Sequence, residues 1–225
     1  MTFSIAARCA DTGMFGVAVA SSSPAVAARC AYAEAGVGAV ASQNVTDPRL
    51  GPQTLALMSA GASAAQAIEI INASGGPNMS FRQVLAVDNN GVAAIHSGPN
   101  ALGIWSSATA SNVACGGNML AHADVPSIMV EAFSNAIGNL PKRLLHTVRA
   151  GLAAGGEAGP IHSAGMRVVR EVAWPIVDLR VDWTEQCPIE ALAKLWQLYA
   201  AQMDDYVTRA LNPSEAPSYG VPGDE

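Results

Sequence analysis

At 225 residues the chain has room for one substantial core, and a formal charge of −6 with only two lysines, Lys142 and Lys194, argues against a nucleic-acid surface, which needs clustered cations. Half of the residues are hydrophobic, yet Arg, Asp, Gln or Asn interrupts every apolar run before the roughly 18 residues that a membrane span requires. Ala, Val and Gly supply much of that apolar content and suit close-packed layers and subunit interfaces. The expectation is a single α+β domain over residues 1–211, forming a homodimer or larger homo-oligomer, with a small molecule as its partner and no nucleic acid or membrane.

Residues 2–9 and 14–21 flank the turn sequence Ala10-Asp11-Thr12-Gly13, and in the second of them Phe15, Val17 and Val19 alternate with small residues. This pattern predicts an N-terminal β-hairpin. The opening MTFSIAAR has no basic stretch followed by a long apolar one, so it reads as a first strand rather than an export signal, which places the protein in the cytoplasm. Residues 36–44, GVGAVASQN, predict a third strand whose small residues admit another layer and whose polar end, Ser42-Gln43-Asn44, leaves the sheet. Helices are expected over 52–60 and 64–73; Ser63 and Gln66 stand at capping-box spacing, and Ala64, Ala67, Ile68 and Ile71 share a face.

Residues 81–87 and 92–97, around Asp88-Asn89-Asn90-Gly91, carry the strongest short-range hairpin signal, and short strands are expected between 104 and 114. Asp124 is positioned to cap a helix reaching residue 137, with Ile128, Met129, Ala132 and Phe133 as its buried stripe; Pro141 can open another reaching 150. Residues 164–172 and 176–182 predict a closing hairpin. Pro188 starts a long helix carrying Ile189, Leu192, Leu195, Trp196, Tyr199 and Met203, and the tail 212–225 reads as disordered. Strands, helices, strands, helices, strands, helix is an order that favours antiparallel sheet between helical layers over alternating βαβ units. Cys9, Cys30, Cys115 and Cys187 lie far apart, without paired spacing or neighbouring His, so they read as free thiols and no metal is expected. GGNML and GEAGP lack phosphate-loop spacing, and no cofactor is expected.

The segments TFSIAAR, GVAVASSSPAV, GVGAVASQN, FRQVLAVDNNG, CGGNML and DLRVD, in this order and spacing, together resemble the DUF1028 family over residues 2 to about 199. That resemblance implies the four-layer αββα sandwich of largely antiparallel sheets seen in N-terminal-nucleophile (Ntn) hydrolases. In those enzymes a Thr, Ser or Cys at the mature N-terminus attacks an amide carbonyl with its own α-amine as base, so the resemblance gives Thr2 this role once Met1 is removed. An α-amine with a pKa of about 8 is partly neutral at cellular pH and lies within reach of the hydroxyl on the same residue.

If the first hairpin pairs end to end, Ser21 or Ser22 comes near Thr2, where a hydroxyl can orient the nucleophile or donate to a developing oxyanion. Asn118, after two glycines, offers an amide for the same oxyanion. Gln43, Asn44, Arg82 and His96 are the candidate substrate contacts: the amides for a carbonyl or amine, Arg82 for a carboxylate, His96 as an acid or base. Each has a plainer reading, in turn satisfaction for the serines and amides, an ion pair for Arg82, and a satisfied structural ring for His96. The functional expectation is a cofactor-independent hydrolase of an amide or related C–N bond in a small metabolite that can carry a carboxylate. Two alternatives stand beside it: a deaminase or water-adding enzyme acting on an enamine or amide in aromatic or amino-acid catabolism, and a non-catalytic small-molecule-binding module on the same fold.

Overall fold

The N-terminal hairpin forms as its alternation requires: β1 (Thr2–Arg8) and β2 (Phe15–Ser21) pair antiparallel, with Phe3 opposite Ala20 and Arg8 opposite Phe15. In the computed structural model, which describes residues 2–223, these strands form the middle of a six-stranded sheet. The next strands form a second sheet of four, β3 (Ala31–Glu34), β4 (Gly38–Asn44), β5 (Arg82–Asp88) and β6 (Ala93–Ser97), all antiparallel to their neighbours. The chain then returns to the first sheet with β7 (Ser106–Ala110), β8 (Val113–Asn118), β9 (Ser163–Val169) and β10 (Val177–Val181), giving the order β10-β9-β2-β1-β8-β7.

Helices cover both outer faces. After the single turn α1 (Ala27–Cys30), α2 (Leu50–Ser59) and α3 (Ala64–Ser74) place Leu55, Met58, Ile68 and Ile71 against Val40, Val84 and Ala86 of the four-stranded sheet. On the far side, α4 (Val125–Asn135), α5 (Leu140–Ala153), α6 (Pro188–Tyr199) and α7 (Met203–Leu211) pack Met129, Phe133, Leu144, Leu192 and Trp196 onto Phe3, Ile5, Ala18 and Ala20. Between the sheets lies a third core, built from Ala6, Phe15, Val17, Val19, Ala39, Ala41, Leu85 and Val87. The alternating residues of each strand therefore divide between a helix-facing and a sheet-facing layer, which is the αββα sandwich. Each large apolar side chain buried this way contributes about 1.5–3 kcal/mol.

Several local expectations change. The turn α1 and strand β3 come from residues 27–34, where no element is predicted, so GVGAVASQN supplies the fourth strand and not the third. Its polar end does not leave the sheet: Ser42 and Gln43 are fully buried opposite Val84 and Gln83, where Ser42 Oγ donates to the main-chain Asp47 O and the Gln43 amide to the Gln83 side chain. The long C-terminal helix ends at Tyr199 and restarts at Met203, a break that keeps Met203 and Val207 on the same core as Trp196. Asp124 precedes α4 without a side-chain cap bond, whereas Asn139 caps α5 by accepting the Lys142 N–H at 3.2 Å. Ser63 and Gln66 do form the reciprocal capping box. In the tail, residues 212–223 include the 3-10 turn Pro213–Glu215 and fold back so that the Arg209 guanidinium stacks on Tyr219 at 3.9 Å. Asp224 and Glu225, like Met1 and the expectation of its removal, lie outside the described residues. The four cysteines are free thiols, three of them buried. Among the described residues no helix is long and apolar enough to cross a membrane.

Candidate active site

Register alone assembles a row of polar side chains across one end of the four central strands of the six-stranded sheet. The β1–β8 pairing sets Thr2 opposite Asn118, the β2–β9 pairing sets Ser21 opposite Ser163, and one further step of the β1–β2 pairing sets Thr2 opposite Ser21. Residues directly opposite in antiparallel strands project to the same face with Cβ atoms about 4.5–5.5 Å apart. Because Ala6, Val17, Val19 and Ala114 on these strands line the space between the sheets, the row Ser163, Ser21, Thr2, Asn118 points into that space too. Thr2 is 5% exposed and the other three are fully buried.

Within the row, Thr2 Oγ1 donates a long hydrogen bond to Ser21 Oγ at 3.4 Å, and Ser21 Oγ also accepts the Ser23 N–H at 3.0 Å. Ser163 Oγ donates to Ser23 O at 2.6 Å and accepts the Val26 N–H, so both serines hold the turn that leaves β2. Asn118 differs from them. Neither its amide oxygen nor its amide nitrogen has a hydrogen-bond partner, although the side chain is fully buried. Burying such a group unpaired costs about 1–3 kcal/mol, and the few that proteins keep call for a specific reason.

Past the end of the row stands Glu157, from a Gly-rich loop that carries no motif. The turn after α5 delivers it through Gly155 and Gly156, with φ of +111° and +56°, values that L side chains rarely adopt. Glu157 pairs with Leu120 in an isolated bridge, while its carboxylate accepts the Ser22 N–H at 3.1 and 3.2 Å through its two oxygens. It is 4% exposed, and among the described residues no Lys, Arg or His forms an ion pair with it. Burial raises its pKa to about 7, against the opposing charge of the chain's terminal amine and the hydrogen bonds from Ser22 and Ser21.

One step inward, a polar brace ties the sheets together. Ser4 Oγ donates to Gln43 Oε1 at 2.6 Å; Gln43 Nε2 donates to Gln83 Oε1 at 2.7 Å and to Gly116 O at 3.2 Å. Gln83 Nε2 continues to Ser97 Oγ, Ser106 O and Gly117 O. Gln43 thus sits behind Thr2 with its amide fully engaged. The other expected substrate contacts are not brought into the row. Asn44 bonds Phe81 O and accepts the Leu102 N–H, Arg82 bonds Val45 O, and His96 Nε2 lies 2.9 Å from Met79 O. Arg82 and His96 share the pleat parity of Val84, which faces the helices α2 and α3, and not that of Leu85, which faces the other sheet. Ser22 contributes its backbone N–H to Glu157.

Two surface grooves lie elsewhere, one between Glu34, Leu55 and Trp174 and another along α2. Over the Asn118 end of the row, the segment preceding β7 is tied down where Met119 N donates to Leu102 O and Leu120 N to Ile104 O, both at 2.8 Å. Leu102, Ile104 and Trp105 of that segment are exposed. Glu157 and Ser163 had weak signals in the sequence: a lone acid in a Gly-rich loop, and a serine opening a strand as Ser21 closes one.

Comparison with known proteins fits this architecture. Protein SPO2555 from Silicibacter pomeroyi, solved as a crystal structure and assigned to DUF1028, superposes with a TM-score of 0.83 at 30% identity over 91% of this chain and 94% of that one. Anbu (ancestral beta-subunit) from Yersinia bercovieri and Anbu from Hyphomicrobium sp. strain MC1 give TM-scores of 0.41 and 0.42 at 8% and 9% identity; each comparison covers 97% of this chain and all of the other. Superpositions that loose carry no functional weight. None of the curated proteins matches. The model of the family of unknown function DUF1028 matches residues 2–192, and with the SPO2555 likeness it follows that the chain belongs to that family.

Proposed function

We propose that this protein hydrolyses an amide or related C–N bond of a small metabolite, with Thr2 as an N-terminal nucleophile after removal of Met1. The observation that supports it is the buried row in which Thr2 stands between Ser21 and an Asn118 amide that has no protein partner. In this reading Ser21 fixes the Thr2 rotamer, and Thr2 Oγ1 attacks the substrate carbonyl carbon while its proton passes to the α-amine of the same residue. The C=O π pair moves to oxygen, and Asn118 Nδ2–H donates to that oxyanion, the role for which an unpartnered donor is preorganised. Collapse expels the leaving amine, which takes the proton from the α-ammonium, and leaves an ester on Thr2 Oγ1. Water, deprotonated by the α-amine, then releases the carboxylic acid and restores the hydroxyl.

The test is intact mass of the purified protein before and after a β-lactone probe, with peptide mapping of the adduct. Absence of Met1 and a single adduct on Thr2, lost in Thr2→Ala, is the expected result. A chain lacking Met1 that takes no adduct at Thr2 overturns the proposal.

A further inference from the structure

Strand β1 begins level with the ends of its two neighbours, β2 and β8, and the chain leaves both of them there. One step past the Thr2 level, the chain turns out of β2 at Ser22 and out of β8 through Met119 to Leu120. Glu157 engages both continuations, the first by accepting the Ser22 N–H and the second by its bridge to Leu120. Its main-chain neighbours hold the same position: Ala121 N donates to Gly156 O and Ala158 N to Met119 O, each at 3.0 Å. The residue therefore lies across the N-terminal end of β1, where the backbone nitrogen of Thr2 emerges.

A carboxylate in such a place needs a cation. The strands packed around it present Thr2, Ser4, Ser21, Gln43, Gln83 and Asn118, none of them charged. Two histidines stand on neighbouring segments, His122 and His162. The His122 ring occupies the space that a side chain at Gly155 would take, and His162 is engaged with Thr184 O at 2.9 Å and with Glu185.

We propose that Glu157 is the positioning residue for the α-amino group of Thr2, accepting a hydrogen bond from it and so aiming its lone pair at the Thr2 hydroxyl. This rests on the hydrolase reading for its purpose and on the end-of-strand geometry for its placement. In the transition state the amine becomes an ammonium, and the carboxylate beside it then makes a charge-assisted bond that it makes more weakly to the neutral amine. Glutamine at this position keeps the acceptor for Ser22 while removing the charge.

The experiment uses the chain released from a cleavable fusion so that it begins at Thr2, in wild-type and Glu157→Gln forms. Two quantities are followed against pH: competitive acetylation of the Thr2 α-amine, and the rate of β-lactone labelling at Thr2. In the wild type the amine should titrate above the ordinary value of about 8. In Glu157→Gln both midpoints should fall by about one pH unit, and the limiting labelling rate should drop about tenfold. A residue that only supports the fold lowers the melting temperature and leaves the midpoint where it was. An unmoved amine midpoint in a folded Glu157→Gln protein overturns the proposal; should that variant not fold, a wild-type amine titrating at or below the ordinary value overturns it equally. A midpoint that moves in a wild type that never labels retains the placement of Glu157 and rejects the hydrolase reading.

Discussion

The layer between the two sheets has two ends with opposite chemistry. At one end β2, β5 and β9 fill it with Phe15, Val17, Val19, Leu85, Val87 and Val169; at the other the same strands, with β1, β4 and β8, present Ser21, Gln83, Ser163, Thr2, Gln43 and Asn118. The backbone does not change between them. Pleat parity and register continue unbroken, so the turn from an apolar to a polar layer is written wholly in side chains. The apolar end gains stability from every contact, whereas the polar end keeps one buried amide without a partner. Such a group lowers stability and is intelligible as a site.

Variants can break this contrast in order of expected effect. Thr2→Ala should reduce β-lactone labelling by more than about a thousandfold while barely moving the unfolding transition, since a small side chain remains at a strand start. Asn118→Ala should slow labelling by about 10²–10³-fold. Because its amide has no bond to lose, unfolding free energy should stay within about 1 kcal/mol or rise. Leu85→Ala at the apolar end should do the reverse, costing about 3 kcal/mol by denaturant titration while the folded protein labels at the wild-type rate. His96→Gln, on the helix-facing side, should change labelling less than about twofold.

Glu157 sharpens the contrast through pH. Its pKa is higher folded, at about 7, than the ordinary 4.5, so between these values the folded state holds the proton more tightly and stability declines as pH rises through that window. Each pH unit of separation is about 1.4 kcal/mol. In a chain that still carries Met1, Glu157→Gln should therefore gain on the order of 2–3 kcal/mol relative to wild type between pH 4.5 and 7.5, by denaturant titration at both. In the chain beginning at Thr2 that gain should shrink, because the α-ammonium holds Glu157 ionised.

Much of the fold was legible in local patterns. The hairpins at Asp11-Thr12-Gly13 and Asn90-Gly91 and the capping box at Ser63 are short-range chemistry, and each strand or helix beside them formed within a residue or two of its expected place. β3 was not legible, since AYAE is four residues long without a full period of alternation. The site divides in the same way. Thr2 and Ser21 followed from one hairpin, but Asn118 met them only through a strand pairing across more than a hundred residues, and Glu157 entered from a loop that no periodicity marks. Gln43 stands out in the sequence as polar on an apolar strand. What it binds, Ser4 and Gln83, depends on how the two sheets stack, which no single segment encodes.

The central position of β1 also bears on the order of assembly. One of its partners, β2, follows within a few residues, but the other, β8, is synthesised about a hundred residues later, and β9, which completes the row through Ser163, later still. Pairings of such long range are slow to form because loop closure precedes the contacts that reward it. A nascent or partly folded chain therefore carries Thr2 on a strand open along one edge, without Asn118 or Glu157 beside it. On the proposed mechanism, reactivity at Thr2 reports complete folding, since the threonine is set among its partners only when the last strands of the sheet have closed around the first.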